Sequence, residues 1–472
     1  MFKNINCKNL PSLRRNIVYQ FLYELLIVFI PLFTIPYVSR VLGAENIGLF
    51  SYTYAVANYF VLFANLGIKN YGSRTIAMVR NNKEELNRNF SEILSIHIIF
   101  SIIVIFVYLV LLFFFVEDNL VIFLIQSIYI FAAVFDINWF FFGIEKFKLT
   151  VGRNTLVKIL SVFLVLVFVK TQTDLWIYAL ILALSVFVGQ SVVWFALKQY
   201  VSWRRPSWAN MKQHIRPLFV LFLPILALSL YKYMDKIMLG SISSNVQVGF
   251  YENAEKIINV PMSLIMAFGV VLMPRIANMV TSKDKGEVFK LIDMSMEAVM
   301  LLAIAISFGL AGISFVLAPI FFGYEFEECG ILIMGLAVTV PFMAFANVIR
   351  TQYLIPYKED KIFVVSLFLG AAVNLIVNII LIPYMAARGA VIGTIFAEII
   401  VCIYQSYFVR KKIFIKKYLL NTIPPILIGI VMFVFVFQIG NVMNINIVTL
   451  ILQLVVGMFI YAVGVFLLML KS

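Results

Sequence analysis

The chain has 472 residues, 63% of them hydrophobic and only 13% charged, with a formal net charge of +14. That balance leaves too little polar surface to coat a soluble domain and places the chain in a lipid bilayer. Crossings there must be helices or a closed barrel, and unbroken apolar runs such as "IIFSIIVIFVYLVLLFFFV" lack the alternation of barrel strands.

The first residues, "MFKNINCKNLPSLRRN", are polar and basic, and the apolar segment after them carries no small-residue cleavage site, so no removable signal is expected. A crossing needs about 20 residues. In chain order, spans are expected near 17–39, 48–68, 90–115, 120–143, 154–169, 176–197 and 217–239, then near 248–273, 291–316, 330–349, 362–382, 390–408, 419–439 and 446–470. With the N-terminus placed in the cytoplasm, 30 of the 37 Lys and Arg fall in inward segments. Only Arg40, Lys170 and Arg388 fall in outward loops, and the remaining four lie within spans. Because positive residues flanking a span resist translocation, this asymmetry predicts that both ends face the cytoplasm. It also accounts for the net charge, together with attraction to anionic lipid, so nucleic acid is not expected as a partner.

The outward loops are short, and the sequence holds only His97 and His214, with Cys7, Cys329 and Cys402 scattered. No Gly-rich phosphate cradle, nucleophile elbow or metal-ligand spacing appears, so neither an enzyme nor a metal or organic cofactor is expected. A membrane-embedded glycan polymerase would need chemistry-bearing groups on a substantial outer loop.

An internal repeat runs through the chain. Aligned on Pro31 and Pro224, "FIPLFTIPYVSRVLGAENIGLFSYTYA" and "FLPILALSLYKYMDKIMLGSISSNVQVGFYENAE" both reach a basic residue (Arg40, Lys236), a glycine (Gly43, Gly240) and a second glycine followed by aromatics (Gly48, Gly249). A same-orientation repeat six spans apart predicts two facing six-helix bundles, the plan of transporters that expose a central site alternately.

The blocks "PLFTIPYVSRVLGAENIGLFSYTYAVANYFVLFANLGIKNYGSRTIA", "FDINWFFFGIEKFK", "MDKIMLG", "VGFYENAEKI" and "NLIVNIILIPYMAARGAVIGT" resemble the bacterial polysaccharide repeat-unit flippases of the multidrug/oligosaccharidyl-lipid/polysaccharide exporter superfamily. The resemblance implies an all-α, polytopic fold of about 14 transmembrane helices, with two pseudo-symmetric six-helix lobes in a V and two helices outside them. On this sequence the parts are a cytoplasmic segment 1–16, a first lobe 17–200, a linker 201–216, a second lobe 217–410 and additional helices in 411–472. The implied substrate is an oligosaccharide joined through pyrophosphate to a polyprenyl carrier, turned from the inner to the outer leaflet of the bacterial cytoplasmic membrane by alternating access. Capsule, exopolysaccharide or O-antigen assembly would use it, with a polysaccharide polymerase and a chain-length regulator as partners. A cation-coupled multidrug or small-molecule exporter on the same fold is the alternative, separated from the first reading by the sign of charge in the cavity.

Charged groups inside the bilayer are costly and so mark candidate sites. Lys232, Asp235 and Lys236 can share a helical face, and the next span offers Glu252, Glu255 and Lys256, so the six can form a neutral paired network or line a cavity. For a pyrophosphate substrate the cationic candidates are Arg40, Lys69, Arg74, Arg153, Lys158, Lys232 and Lys236, because anion recognition needs positive donors in a partly dry place. Asp235 is expected to hold Lys236 in one state. Coupling or charge-pair candidates are Glu24, Asp136, Asp235, Glu252, Glu255 and Lys256, with a proton or sodium ion as the coupling species. Glu297 and Glu398 are further intramembrane acids, and His97 is expected to be a hydrogen-bonded core histidine.

Overall fold

The computed structural model describes residues 10–281 and 285–470, with side-chain surroundings from Phe33 onward except at a few helical positions. Glu24 lies outside the residues whose side chains are described. Among the described residues every regular element is helical: α1 (Leu10–Asn65), α2 (Ile68–Val79), α3 (Lys83–Phe115), α4 (Leu120–Val134), α5 (Asn138–Gly143), α6 (Phe147–Phe168), α7 (Leu175–Leu197) and α8 (Trp208–Ile242). They are followed by α9 (Asn245–Thr281), α10 (Lys285–Phe322), α11 (Cys329–Ala337), α12 (Thr339–Ile349), α13 (Asp360–Val409), α14 (Ile415–Val442) and α15 (Ile447–Met469). Among the described residues, eleven helical stretches are long and apolar enough to cross a membrane.

Among the described residues, two of the named helices, α1 and α13, contain a sharp break. Gly43 interrupts α1 at φ 75° and ψ 172°, backbone angles that favour glycine because it has no Cβ. The break frees backbone donors, and Glu325 Oε1 accepts from the Ala44 amide at 2.8 Å. Ala386 interrupts α13 at φ 47° and ψ −126°, a strained conformation for a residue with a Cβ. Gln247 Oε1 there accepts from the Ala387 amide at 3.2 Å.

By contacts the chain divides into two compact units, one made of the chain through Leu42 with Thr53–Ser229, the other of Gly43–Tyr52 with the chain from Leu230 on. The first is built on an aromatic core. Trp139 and Phe140 of α5 pack on Phe90 of α3, with ring centroids 5.6 and 4.9 Å away. A Cβ at Gly72 would come within 2.5 Å of the Trp139 ring, so α2 approaches α5 as closely as a bare backbone permits.

In the second unit α10 packs against α11, α12, α14 and α15. Small residues let α10 and α14 dock closely: a Cβ at Gly429 would lie 2.4 Å from the Phe308 ring, and one at Gly312 2.9 Å from Val436. Gln453 of α15 donates to the Val436 carbonyl at 2.9 Å, a polar tie in an apolar seam. Next to this seam lies an apolar cavity of about 490 Å³ walled by α10, α14 and α15.

The repeated glycines meet in this unit. A Cβ on Gly48 would fall 1.6 Å from the Asn245 carbonyl oxygen, and one on Gly249 would fall 2.1 Å from that of Ala44. Each glycine thus faces the carbonyl four residues before the other, an approach with local two-fold character. Gly43 and Gly240 differ, since the first breaks α1 whereas the second lies inside continuous α8 with Tyr52 packed over it.

Candidate functional site

The charged stretch at the end of α8 resolves into two networks within the second unit. In one, Lys236 Nζ lies 2.6 Å from Glu252 and 2.8 Å from Glu255 of α9, with its side chain 9% exposed. Lys256 completes it, 3.1 Å from Glu252 across one turn of α9. Two cations meet two carboxylates, and two charge-assisted contacts on one ammonium fasten α8 to α9.

The other network surrounds Asp235, which is 3% exposed. Tyr251 and Thr394 donate hydroxyls to Oδ2 at 2.6 and 3.0 Å, and Asn378 donates its amide to Oδ1 at 2.5 Å. Asn378 also donates to Asn374 Oδ1 at 3.1 Å, and the Ala390 carbonyl, 3.0 Å from Thr394 Oγ1, competes with Asp235 for that hydroxyl's one proton. Among the described residues no Lys, Arg or His comes within ion-pair distance of Asp235. In this structure it does not hold Lys236: adjacent residues on a helix diverge by about 100°, so Glu252 and Glu255 of α9 take the lysine while Tyr251 of α9 and two residues of α13 take the aspartate. A buried carboxylate held only by neutral donors keeps an uncompensated charge, which is costly in a low-dielectric interior. Asn378 Oδ1 is buried in the same place with no hydrogen-bond partner among the described residues.

Lys232, one turn before Lys236, is exposed, its ammonium 5.4 Å from the centre of the Tyr233 ring. The three charges of "YKYMDK" therefore do not share one environment.

The first unit gathers a separate cluster. Asp136 caps the short α5: its Oδ1 accepts from the Asn138 amide at 3.0 Å and from the Asn138 side chain at 2.7 Å. Arg153 of α6 donates to Asn138 Oδ1 at 3.2 Å, to Gln190 Oε1 at 3.3 Å and to the Gly189 carbonyl at 2.7 Å, and Asn154 is a further acceptor. Asp136 and Arg153, chosen independently from sequence, are thus joined through one asparagine. Lys158, Lys69, Arg74 and Arg40 are exposed, the last of them three residues before the Gly43 break of α1.

His97 is fully buried, but neither ring nitrogen has a hydrogen-bond partner among the described residues, so it is a core histidine without the expected bonds. His214 is the bonded one, with Nε2 3.0 Å from Glu92 and Nδ1 2.6 Å from the Tyr71 hydroxyl. This buried tie joins α2, α3 and α8. Sequence reasoning passed over Tyr251, Asn374, Asn378, Thr394, Asn138 and Gln190. Their one signal is that buried Asn and Gln are rare enough in apolar helices to deserve scrutiny.

Residues 13–280, more than half of the chain, match the family described as polysaccharide biosynthesis protein. The chain belongs to that family. Family membership extends to near-complete relatives: the chain is 24% identical to a putative O-antigen transporter of Shigella dysenteriae, covering 83% of this chain and 99% of the relative. It is 26% identical to a putative O-antigen transporter of Escherichia coli K12, covering 86% and 98%. In structure it resembles the lipid II flippase MurJ in an inward closed conformation, with a TM-score of 0.76 at 15% identity over 97% of this chain and 99% of the other. An inward-facing multidrug transporter of the MATE family in the MOP superfamily gives 0.63 at 13% identity over 83% and 97%. The fold is that of MOP-superfamily transporters, and this family member is a multi-pass membrane transporter rather than an enzyme.

Proposed function

We propose that the protein is a flippase that turns a polyprenyl-pyrophosphate-linked oligosaccharide from the inner to the outer leaflet of the bacterial cytoplasmic membrane by alternating access, with fourteen crossings and both ends inside. The observation that carries the reading is the near-full-length match to two O-antigen transporters, which leaves almost no part of those relatives without a counterpart here. Arg153, held by amide and carbonyl oxygens, and the exposed Lys69 and Arg74 of the first unit supply positive donors for a pyrophosphate. The apolar cavity against α14 and α15 offers a wall for a polyprenyl chain.

Transport is coupled to a cation held at Asp235. A buried carboxylate without a counter-ion is stabilised by a proton or a sodium ion, and Thr394 Oγ1, the Ala390 carbonyl and Asn374 Oδ1 place further oxygens around it. Rotating the Asn378 amide would add the unpartnered Oδ1.

The test is leaflet transfer of a pyrophosphate-linked oligosaccharide lipid in proteoliposomes under imposed proton or sodium gradients. Wild type should transfer the lipid and respond to one of the gradients, while Asp235→Asn, inserted equally well, should lose that response and at least tenfold of the rate. Drug efflux without lipid transfer would overturn the flippase reading. Transfer by Asp235→Asn with an intact gradient response would overturn the coupling role alone.

A further inference from the structure

The second unit holds a polar cavity of about 280 Å³ between α10, α14 and α15, separate from the Asp235 and Lys236 networks and beyond the stretch that matches the family. It lies at the end of α14 that begins with Lys416 and Lys417, one of the basic ends assigned to the cytoplasm. Three observations define its chemistry. First, Lys417 is the one cation lining it among the described residues, and Lys417 Nζ is already paired with Asp293 at 2.9 Å. The Tyr418 hydroxyl donates to the same carboxylate, so Asp293 is neutralised and bonded. Second, Glu297, one turn further along α10, lines the same cavity, is exposed, and has no hydrogen bond or ion pair among the described residues. The lining thus carries one carboxylate in excess. Third, the remaining wall is mostly apolar, with Met300, Leu301, Val465 and Leu468 among its residues.

We propose that this cavity binds the headgroup of a phospholipid bearing a primary amine, of the phosphatidylethanolamine class. The ammonium takes Glu297, whose charge is otherwise unmatched at a place where lipid headgroups are the abundant solutes. The phosphate takes the Lys417 ammonium, which spends one of its three donors on Asp293, and the Asn421 amide. The acyl chains follow the apolar wall. A quaternary choline headgroup fits less well, because it has no N–H to donate and such groups rely on aromatic cages. Among the described residues the only aromatic one lining it is Tyr418, which is buried and already bonded through its hydroxyl to Asp293. An anionic glycerol headgroup would set its charge against Glu297. This assignment gives α14 and α15 a lipid-anchoring role that does not depend on the transported substrate.

The full chain in detergent, titrated with dioctanoyl phosphatidylethanolamine and followed by microscale thermophoresis, tests it. Saturable binding is expected, at least tenfold tighter than that of the dioctanoyl phosphatidylcholine and phosphatidylglycerol analogues, and at least tenfold weaker in Glu297→Gln. Lys417→Gln should weaken it as well. Equal binding by wild type and Glu297→Gln, or phosphatidylglycerol binding as tightly as phosphatidylethanolamine, overturns the proposal. Free phosphorylethanolamine binding as tightly as the lipid overturns the role of the apolar wall. Should Glu297→Gln fail to fold, Glu297→Asp, which withdraws the carboxylate by one methylene, must weaken binding in its place.

Discussion

Lys232 and Lys236 lie one turn apart on α8 yet stand in opposite electrostatic situations. Lys236 is buried between Glu252 and Glu255, and truncating it leaves two carboxylates with one lysine to share. Breaking a buried pair by removing one partner costs about 3–5 kcal/mol. Lys236→Ala should therefore lower the thermal midpoint of the purified protein sharply, whereas Lys232→Ala, exposed, should stay within about 0.5 kcal/mol of wild type. Equal midpoints for the two variants would contradict the network. The candidates Lys236, Glu252, Glu255 and Lys256 were legible because they sit on consecutive spans at turn-like spacing. Asn378 and Thr394 were not, since they reach Asp235 from positions 143 and 159 residues away.

At the scale of elements, the glycines of the repeat serve close backbone approach. A methyl group on Gly48 would overlap the Asn245 carbonyl, and one on Gly249 would overlap that of Ala44. Neither obstacle is a flexible side-chain tip, so the helix ends themselves must separate. Gly48→Ala and Gly249→Ala should each destabilise by about 1–3 kcal/mol, the usual cost of overpacking. Gly152→Ala, with open space around its Cβ position, should not, and it serves as the control in the same thermal melt. The motif order was visible in the sequence, but the contact between its two copies was not. A linear alignment states likeness, and only packing states proximity.

For the whole molecule, the distribution of Lys and Arg predicts orientation. In a chain lacking its three cysteines, Cys introduced at Lys170 should react with a membrane-impermeant maleimide in intact cells, and Cys at Lys412 only after permeabilisation. Both sites are exposed. The reverse pattern would invert the topology and with it the direction assigned to transport.

Composition, the lengths of the apolar runs and the siting of basic residues were enough to establish a polytopic helical membrane protein, and the quoted sequence blocks carried the resemblance to its family. These are sums over local stretches, and burying each span in hydrocarbon satisfies its backbone whatever its neighbours do. Which charge meets which was decided by tertiary structure. Asp235 and Lys236 are adjacent in sequence, but the helix turns the aspartate toward α13 and Tyr251 of α9 and the lysine toward Glu252 and Glu255 of α9, so the lysine finds carboxylates and the aspartate finds only neutral donors. Pairing energies depend on separations of a few ångströms in a medium of low dielectric. Those separations exist only once the helices have packed.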